Sequence, residues 1–349
     1  MRTLAIDIGG TKVSLAIVDF LMDASGGLSP EFVVERTTLT RDLVAGGVTP
    51  SAEDIIKWIR QASEIMLTEV NGPDDARARA LVDSIGVGFG GQFDTQSQIC
   101  RQSLHTDGWE GFRLADLFTV DSHGLGVRIS GINDAQAAAL AEARFYQKSV
   151  EFPHEIMLYI TLSTGIGGAI AFLESAQLTH ALTPKGLSPK GLTTKALIPG
   201  VQSLAGEVGH LQIPRQKQQF PSEMCSCGGT NCLERACSGR WIEQRTGRPA
   251  SEYLAEENNF NDWIADLCQG LWQAITLLDP AVVCLGGGMT AGPEQGERVR
   301  AALAESIAER SKNWGRKPPE ITLAAWGGRS VLLGAALLAR ESKLEADTK

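Results

Sequence analysis

No run in this sequence approaches the roughly 20 consecutive apolar residues that a membrane-crossing helix needs, so no membrane partner is expected. Basic charge is also scarce: 32 lysines and arginines stand against 41 aspartates and glutamates, a net charge of -9. That balance excludes nucleic-acid binding through a basic surface, because neutralising backbone phosphates takes clustered Lys and Arg. The opening residues, MRTLAIDIGG, lack the basic leader, apolar run and small-residue cleavage site of an export signal. The seven cysteines do not read as a disulfide framework either, since Cys225, Cys227 and Cys232 crowd together. These absences predict a cytoplasmic protein. What is present, 43% apolar and 21% charged residues over 349 positions, is ordinary globular composition with enough chain for two cores.

The pattern along the chain is α/β. Leu4 to Ile6 reads as a buried strand entering Gly9-Gly10-Thr11, with Val13 to Val18 returning from the turn. Ser51 to Val70 is a helix, capped by Ser51 with Asp54 at the capping-box position and lined by Ile55, Ile59, Ala62 and Ile65. Ser84 to Val87 feeds another glycine loop, and Val127 to Ile132 leads through Asn133-Asp134 into an Ala-rich helix, Ala135 to Phe145. Ile156 to Leu162 then repeats the opening device: strand, Thr164-Gly165-Ile166-Gly167-Gly168, returning strand. Two copies of strand, Gly-rich turn with Thr and returning strand suggest a duplicated unit with a cleft between the halves. A helical stripe from Ile264 to Leu278 ends at Asp279-Pro280, Ala281 to Leu285 enters Gly286-Gly287-Gly288, and Val331 to Ala339 is a final helix. Residues 174–204, with Pro-Lys-Gly-Leu at 184–187 and 189–192, form an insertion. It reads either as a surface loop or, through Lys185, Lys190 and Lys195, as a lid over anionic phosphates.

Three constellations carry chemistry. In Asp7-Ile8-Gly9-Gly10-Thr11-Lys12, glycines let backbone N–H groups approach phosphate oxygens, Thr11 adds a hydroxyl, and Asp7 suits a hydrated Mg²⁺. A plain hairpin is the alternative, and the second turn at Thr164-Gly165 weighs against it. Asp134 stands where a strand ends and a helix starts, a place from which a general base can reach an attacking hydroxyl, with Asn133 as a sugar-hydroxyl partner. The alternative there is a helix N-cap. Finally, His210, Cys225, Cys227 and Cys232 offer one imidazole and three thiolates, a closed tetrahedral set for structural zinc, with Cys237 as a spare and free buried thiols as the alternative. Such a metal would pin Glu207 and Glu234 where their carboxylates meet adjacent sugar hydroxyls, and His210 would offer its second ring nitrogen to the sugar.

In this order the motifs resemble the ROK family (repressors, open reading frames and kinases): Asp7 to Lys12, Gly86 to Asp94, Asn133-Asp134, Leu162 to Gly168, Glu207 to His210, Cys225 to Glu234 and Leu285 to Gly288. The resemblance implies the actin-like (ribonuclease H-like) two-lobed sugar kinase fold. The smaller lobe would comprise residues 1–126 plus 332–349, and the larger lobe 127–331 with the zinc site. It implies ATP with Mg²⁺, 6-phosphorylation of a hexose, a homodimer, and Gly286, Gly287 and Gly288 lying against the nucleotide. A chain that opens on the phosphate strand is similar to the kinase branch rather than to repressors with an added DNA-binding domain. Asn-Asp-Ala-Gln-Ala-Ala-Ala at 133–139, and Gly90-Gly91 where many members have Pro-Gly, resemble the N-acetylmannosamine kinases. Gly91 and Gln92 would then face the sugar. Glucose or another hexose is the runner-up acceptor, and a sugar-sensing regulator without turnover is the competing class. Ser163, where a Gly is common, and the long 174–204 insertion depart from the family pattern.

Overall fold

The computed structural model describes residues 1–22, 27–45, 49–71, 82–103, 106–118, 127–146, 155–173, 197–198, 200, 204–214 and 224–347. Most of the 174–204 insertion, including its three lysines, lies outside the described residues.

The first sheet begins with β1 (Arg2–Ile8), turns into β2 (Lys12–Met22) and continues into β3 (Leu28–Leu39). After α1 (Ala52–Asn71) come β4 (Ser84–Phe89), a small hairpin of β5 (Gln92–Asp94) and β6 (Ile99–Gln102), and β7 (Ile129–Asn133). The order across the sheet is β3-β2-β1-β4-β7, with β1, β4 and β7 parallel. Next follow α2 (Asp134–Arg144), β8 (Ile156–Leu162) and β9 (Ile166–Phe172). Four helices succeed them: α3 (Leu233–Cys237), α4 (Gly239–Thr246), α5 (Ala250–Tyr253) and α6 (Glu257–Leu278). The chain closes with β10 (Val282–Gly286), α7 (Pro293–Asn313), β11 (Glu320–Leu323) and α8 (Ser330–Asp347). The second sheet runs β11-β10-β8-β9, with β8, β10 and β11 parallel and β9 antiparallel to β8.

Strand β8 therefore occupies in the second sheet the place of β1 in the first, and β9, β10 and β11 those of β2, β4 and β7. An isolated bridge from Ala171 to Leu197 marks the side of β9 where β3 would pair. Alternation along the strands builds three cores. Leu4 and Ile6 of β1 face α1, whereas Ala5 faces the middle of the molecule; Leu158 and Ile160 of β8 face α6 and α7, whereas Met157 and Tyr159 face the middle. The middle layer holds α2 and α8. Helix α2 leaves the first sheet and packs on β8 and β9, while α8 leaves the second sheet and packs on β1 and β4. Small residues allow α8 to pack closely on both neighbours: a Cβ on Gly334 would overlap the Ala137 carbonyl of α2, and one on Gly86 of β4 the Ala335 carbonyl of α8.

The structure departs from the sequence reading at three places. A boundary at 126/127 would give β7 to the second unit, yet Ile129 to Asn133 pair with Ile85 to Phe89, so the strand closes the first sheet. On α1 the capping box forms, with the Ser51 and Asp54 side chains each accepting the other's N–H. Ile65, however, is 51% exposed, and the stripe runs through Ile55, Ile59, Ala62 and fully buried Met66. At 3.6 residues per turn, position 66 returns to within about 20° of Ile55, which position 65 does not. Strand β3 had no sequence expectation at all. Its residues alternate half-buried and exposed, and Pro30 is tolerated because β3 is an edge strand. No described helix is long and apolar enough to cross a membrane.

Candidate active site and metal centre

Every residue singled out for chemistry in the two sheets stands at the carboxyl end of a parallel strand or in the turn after it, where α/β sheets gather ligands. Asp7 is the penultimate residue of β1 and is 5% exposed. The turn Gly9 to Lys12 is closed by a Gly9 N–H donating to Lys12 O at 3.1 Å. In the second sheet the matching turn, Ser163 to Gly165, is closed by Ser163 N–H to Gly165 O at 2.9 Å, and its Ser163 and Thr164 carbonyls accept the Gly239 and Arg240 N–H groups that open α4. The two turns meet: Thr11 Oγ1 and Thr164 Oγ1 are 2.8 Å apart. Gly286 lies against Tyr159, Gly287 adopts φ +93° against the Leu162 backbone, and nothing stands within 4 Å of a Cβ placed on Gly288. That second triplet thus shares a wall with the Ser163 turn.

Asn133 and Asp134 divide their work differently from the sequence expectation. Asn133 is the N-cap of α2: its Oδ1 accepts from Ala135 N at 3.0 Å and Gln136 N at 3.2 Å, and its Nδ2 donates to Gly91 O at 3.1 Å. The capping alternative therefore describes Asn133, and its amide fixes the Gly91 loop. Asp134 Oδ1 accepts from Ala135 N at 2.8 Å. Its other oxygen faces Gly90, where a Cβ would stand 3.3 Å from Asp134 Oδ2, 3.3 Å from Gly9 Cα and 3.0 Å from Ile8 O. Gly90 is thus the spacer between the Asp134 carboxylate and the first glycine turn, and a side chain there would crowd both. Gly91 is packed against Gln102 and Phe89, and Gln92 is exposed at the start of β5.

Burial raises the proton affinity of three carboxylates, and the Asp134 charge adds to it at Asp7 and Glu207. Burial lifts Asp7 to about 7, with Asp134 adding and Lys12 opposing. Burial likewise lifts Asp134 to about 6 against the hydrogen bonds from Ala135 and Asn133. Glu207 is raised by burial, further by Asp134 and Glu234, and is held back by His210. Acids gathered in this way, with Asp7 buried and Asp134 and Glu207 half-buried, favour cations and hydroxyl donors over further negative charge.

The segment Gly206 to His210 lies on β9, since a Cβ on Gly206, Gly168 or Gly209 would overlap the facing backbone. His210 and the crowded cysteines come together as expected. Cys225 Sγ is 3.5 Å from His210 Nδ1, Cys227 Sγ is 3.4 Å from Cys232 Sγ, and the four ligand atoms lie within 4.8 Å of one another. Tetrahedral zinc with sulfur at about 2.3 Å places its ligands about 3.8 Å apart, so the donor set and spacing fit. A Cβ on Gly229 would stand 2.9 Å from Cys232 Sγ, which makes that glycine part of the cradle. The spare Cys237 is buried, its thiol directed to Trp263 O at 3.9 Å, away from the cluster. Directly after Cys232, Glu234 Oε2 accepts the Ile166 N–H at 3.1 Å and lies beside Gly165. The cysteine cluster is therefore tied to the second glycine turn, a link the sequence did not signal. Tyr159 beside Gly286 was also missed, being one apolar-looking position in a buried strand.

The ROK family's sequence model matches residues 3–178 and 192–342. The chain belongs to the ROK family. Among its ROK relatives, the N-acetylmannosamine kinase of Vibrio cholerae is 27% identical over 317 residues, covering 87% of this chain and 89% of the relative. The ROK hexokinase of Thermus thermophilus superposes with a TM-score of 0.65 at 24% identity over the whole of both chains. The ROK glucokinase of Streptomyces griseus, solved with glucose and AMPPNP, superposes with a TM-score of 0.64 at 23% identity over 98% of this chain and all of that one. The fold is thus the actin-like two-lobed one of ROK sugar kinases.

Proposed function

We propose that this ROK chain transfers the γ-phosphoryl group of ATP to the 6-hydroxyl of a hexose or N-acetylhexosamine, with N-acetylmannosamine the favoured acceptor and glucose the runner-up. The observation that carries the reading is the placement of the Asp134 carboxylate: at the start of α2, one glycine away from the Gly9 turn, and electrostatically coupled to Glu207. The similarity to an N-acetylmannosamine kinase over most of both chains supports the acceptor class.

Mg²⁺ and ATP, when bound, supply the phosphoryl donor and neutralise its charge. Asp7, Lys12, the Gly9-Gly10-Thr11 and Thr164-Gly165 turns and Gly286 to Gly288 would hold them. Asp134 accepts the proton of the attacking alcohol. Its raised proton affinity suits that task, because the stronger base takes the proton more readily while remaining ionised at neutral pH. Glu207, Glu234 and His210 accept and donate the hydrogen bonds that orient the sugar ring, and Asn133 fixes the loop at Gly91. Zinc held by His210 Nδ1, Cys225, Cys227 and Cys232 is structural, since four protein donors leave no open position. We read the chain as a homodimer working in the cytoplasm.

The test is ADP release with a panel of hexoses and N-acetylhexosamines. Turnover with N-acetylmannosamine at the highest kcat/KM is expected. Silence with every sugar, alongside measurable sugar affinity, overturns the kinase reading in favour of a sensor.

A further inference from the structure

One buried charge lies outside the chemistry so far described. Glu142, on the last turns of α2, is 4% exposed in a helix whose other buried residues are alanines, Leu140 and Gln136. Its Oε2 accepts the Ala325 N–H at 2.8 Å, and its Oε1 accepts the Trp326 N–H at 3.1 Å and the Ser330 hydroxyl at 2.7 Å. Two of these donors lie in the turn between β11 and α8, and the third is the first residue of α8. A carboxylate buried at this depth costs stability unless it is fully bonded, and burial raises its proton affinity; apolar packing alone would be served by another alanine.

The topology explains the position. The chain passes between the two sheets through α2, which starts at β7 and packs on β8 and β9, and again through residues 324–330, which lead from β11 into α8 on the first sheet. Glu142 fastens the end of the first crossing to the second. The same turn is held to the first sheet's edge, with Arg329 Nε 2.7 Å from Glu35 and the Trp326 ring centroid 6.3 Å from that of Phe32, and to the end of α2, with the Phe145 ring centroid 5.4 Å from that of Trp326. Helix α2 carries Asp134 at its other end, and α8 meets it at Gly334 and Ala137.

We infer that Glu142 is a positioning residue for phosphoryl transfer: by locking α2 to the β11–α8 turn it sets the axial and rotational placement of α2 and so the place of the Asp134 carboxylate relative to both glycine turns. The inference rests on Asp134 as the base. A glutamine at 142 keeps the shape but turns one acceptor oxygen into an N–H₂ facing backbone N–H donors, so the lock is broken without emptying the space.

The experiment is a double-mutant cycle of Glu142→Gln and Asp134→Asn, with circular dichroism and zinc content confirming the fold. Glu142→Gln is expected to lower kcat by about ten- to a hundredfold, the scale of small misplacements of a reacting group, while KM for ATP stays within about threefold. Added to Asp134→Asn it is expected to cause no further loss, because it acts through that carboxylate. Effects that multiply, or wild-type kcat in Glu142→Gln alongside a collapsed Asp134→Asn, overturn the inference. Wild-type turnover in Asp134→Asn instead overturns the base assignment. Should Glu142→Gln fail to fold, Ser330→Ala removes one of the three donors and is expected to lower kcat about three- to tenfold, again without adding to Asp134→Asn; wild-type kcat in Ser330→Ala overturns the inference.

Discussion

The two glycine turns are built on the same strand pair and are held by opposite means. After β1 the loop Gly9 to Lys12 sits among acids: Asp7 precedes it, Gly90 spaces it from Asp134, and Lys12 is the nearby counter-charge. After β8 the loop Ser163 to Gly165 has Thr161 at the position matching Asp7, and it is held from outside by the N–H groups opening α4 and by Glu234 beneath Ile166. A duplicated scaffold has thus been divided into a half whose turn is lined with acids, to which the proposed function assigns the proton and metal chemistry, and a half whose turn is held by α4 and by Glu234 beside the cysteine cluster. The difference teaches that symmetry in the backbone need not survive in the side chains that use it.

The sharpest attack on that division is Asp134→Asn. If the first half holds the base, kcat falls by about 10² or more while sugar affinity measured by calorimetry stays near wild type; a wild-type rate would erase the contrast. Next in size, Glu234→Ala removes the bond to Ile166 and, under the proposed function, a sugar partner. A hydrogen bond to a charged group is worth about 1.5–3 kcal/mol, so KM for ATP should rise about tenfold or more along with the loss of sugar affinity. An effect confined to the sugar would show that the second turn does not need its support. If the His210 and cysteine cluster holds zinc as proposed, chelation should act in the same direction and lower the melting temperature, because metal binding and folding of the loop are coupled; wild-type thermal stability after complete metal removal would count against it.

The acids give a pH signature. With its proton affinity raised to about 6, Asp134 becomes protonated as pH falls through that value and can no longer accept the alcohol's proton. kcat/KM should therefore drop about tenfold per unit below pH 6, a limb absent in Asp134→Asn. The smallest effect concerns the meeting point of the turns. Thr11→Ala and Thr164→Ala should each cost about 1 kcal/mol in stability, and the double variant no more than either alone, since both remove one bond. Additive costs would mean that the two hydroxyls serve separate partners.

How far all this was legible in the sequence follows from where each signal resides. The paired strand–turn–strand units, the capping box at Ser51 and Asp54, and the cluster of His210 with Cys225, Cys227 and Cys232 are local or compositional, and they stand in the structure where the residues put them. Asn133 was harder, because one residue type serves as cap or ligand, and only its bonds from the Ala135 and Gln136 N–H groups and to the Gly91 carbonyl decide between them. The Glu234 bond to Ile166 spans 68 residues of sequence and leaves no periodic trace. Strand β3 escaped for a different reason: at an edge its alternation is blurred, with Arg36 and Thr38 beside Leu28, Phe32 and Val34 on the half-buried face and Val33 and Leu39 on the exposed one. Glu142 did have a visible signal, a lone acid in the alanine face of α2, but its meaning needed the turn at Ala325, which the sequence places 183 positions away.

The crossing of α2 and α8 has a consequence for biosynthesis. The groove at Gly86 that receives α8 is made early, yet its occupant begins only at Ser330. A nascent chain therefore emerges with the inner face of β1 and β4 uncovered while the rest of the polypeptide is translated, and the amino-terminal sheet cannot mature as the first-made unit, as domains commonly do. Folding of this protein on the ribosome should be completed by its last helix, with a chaperone or the half-formed second sheet sheltering that face until α8 arrives.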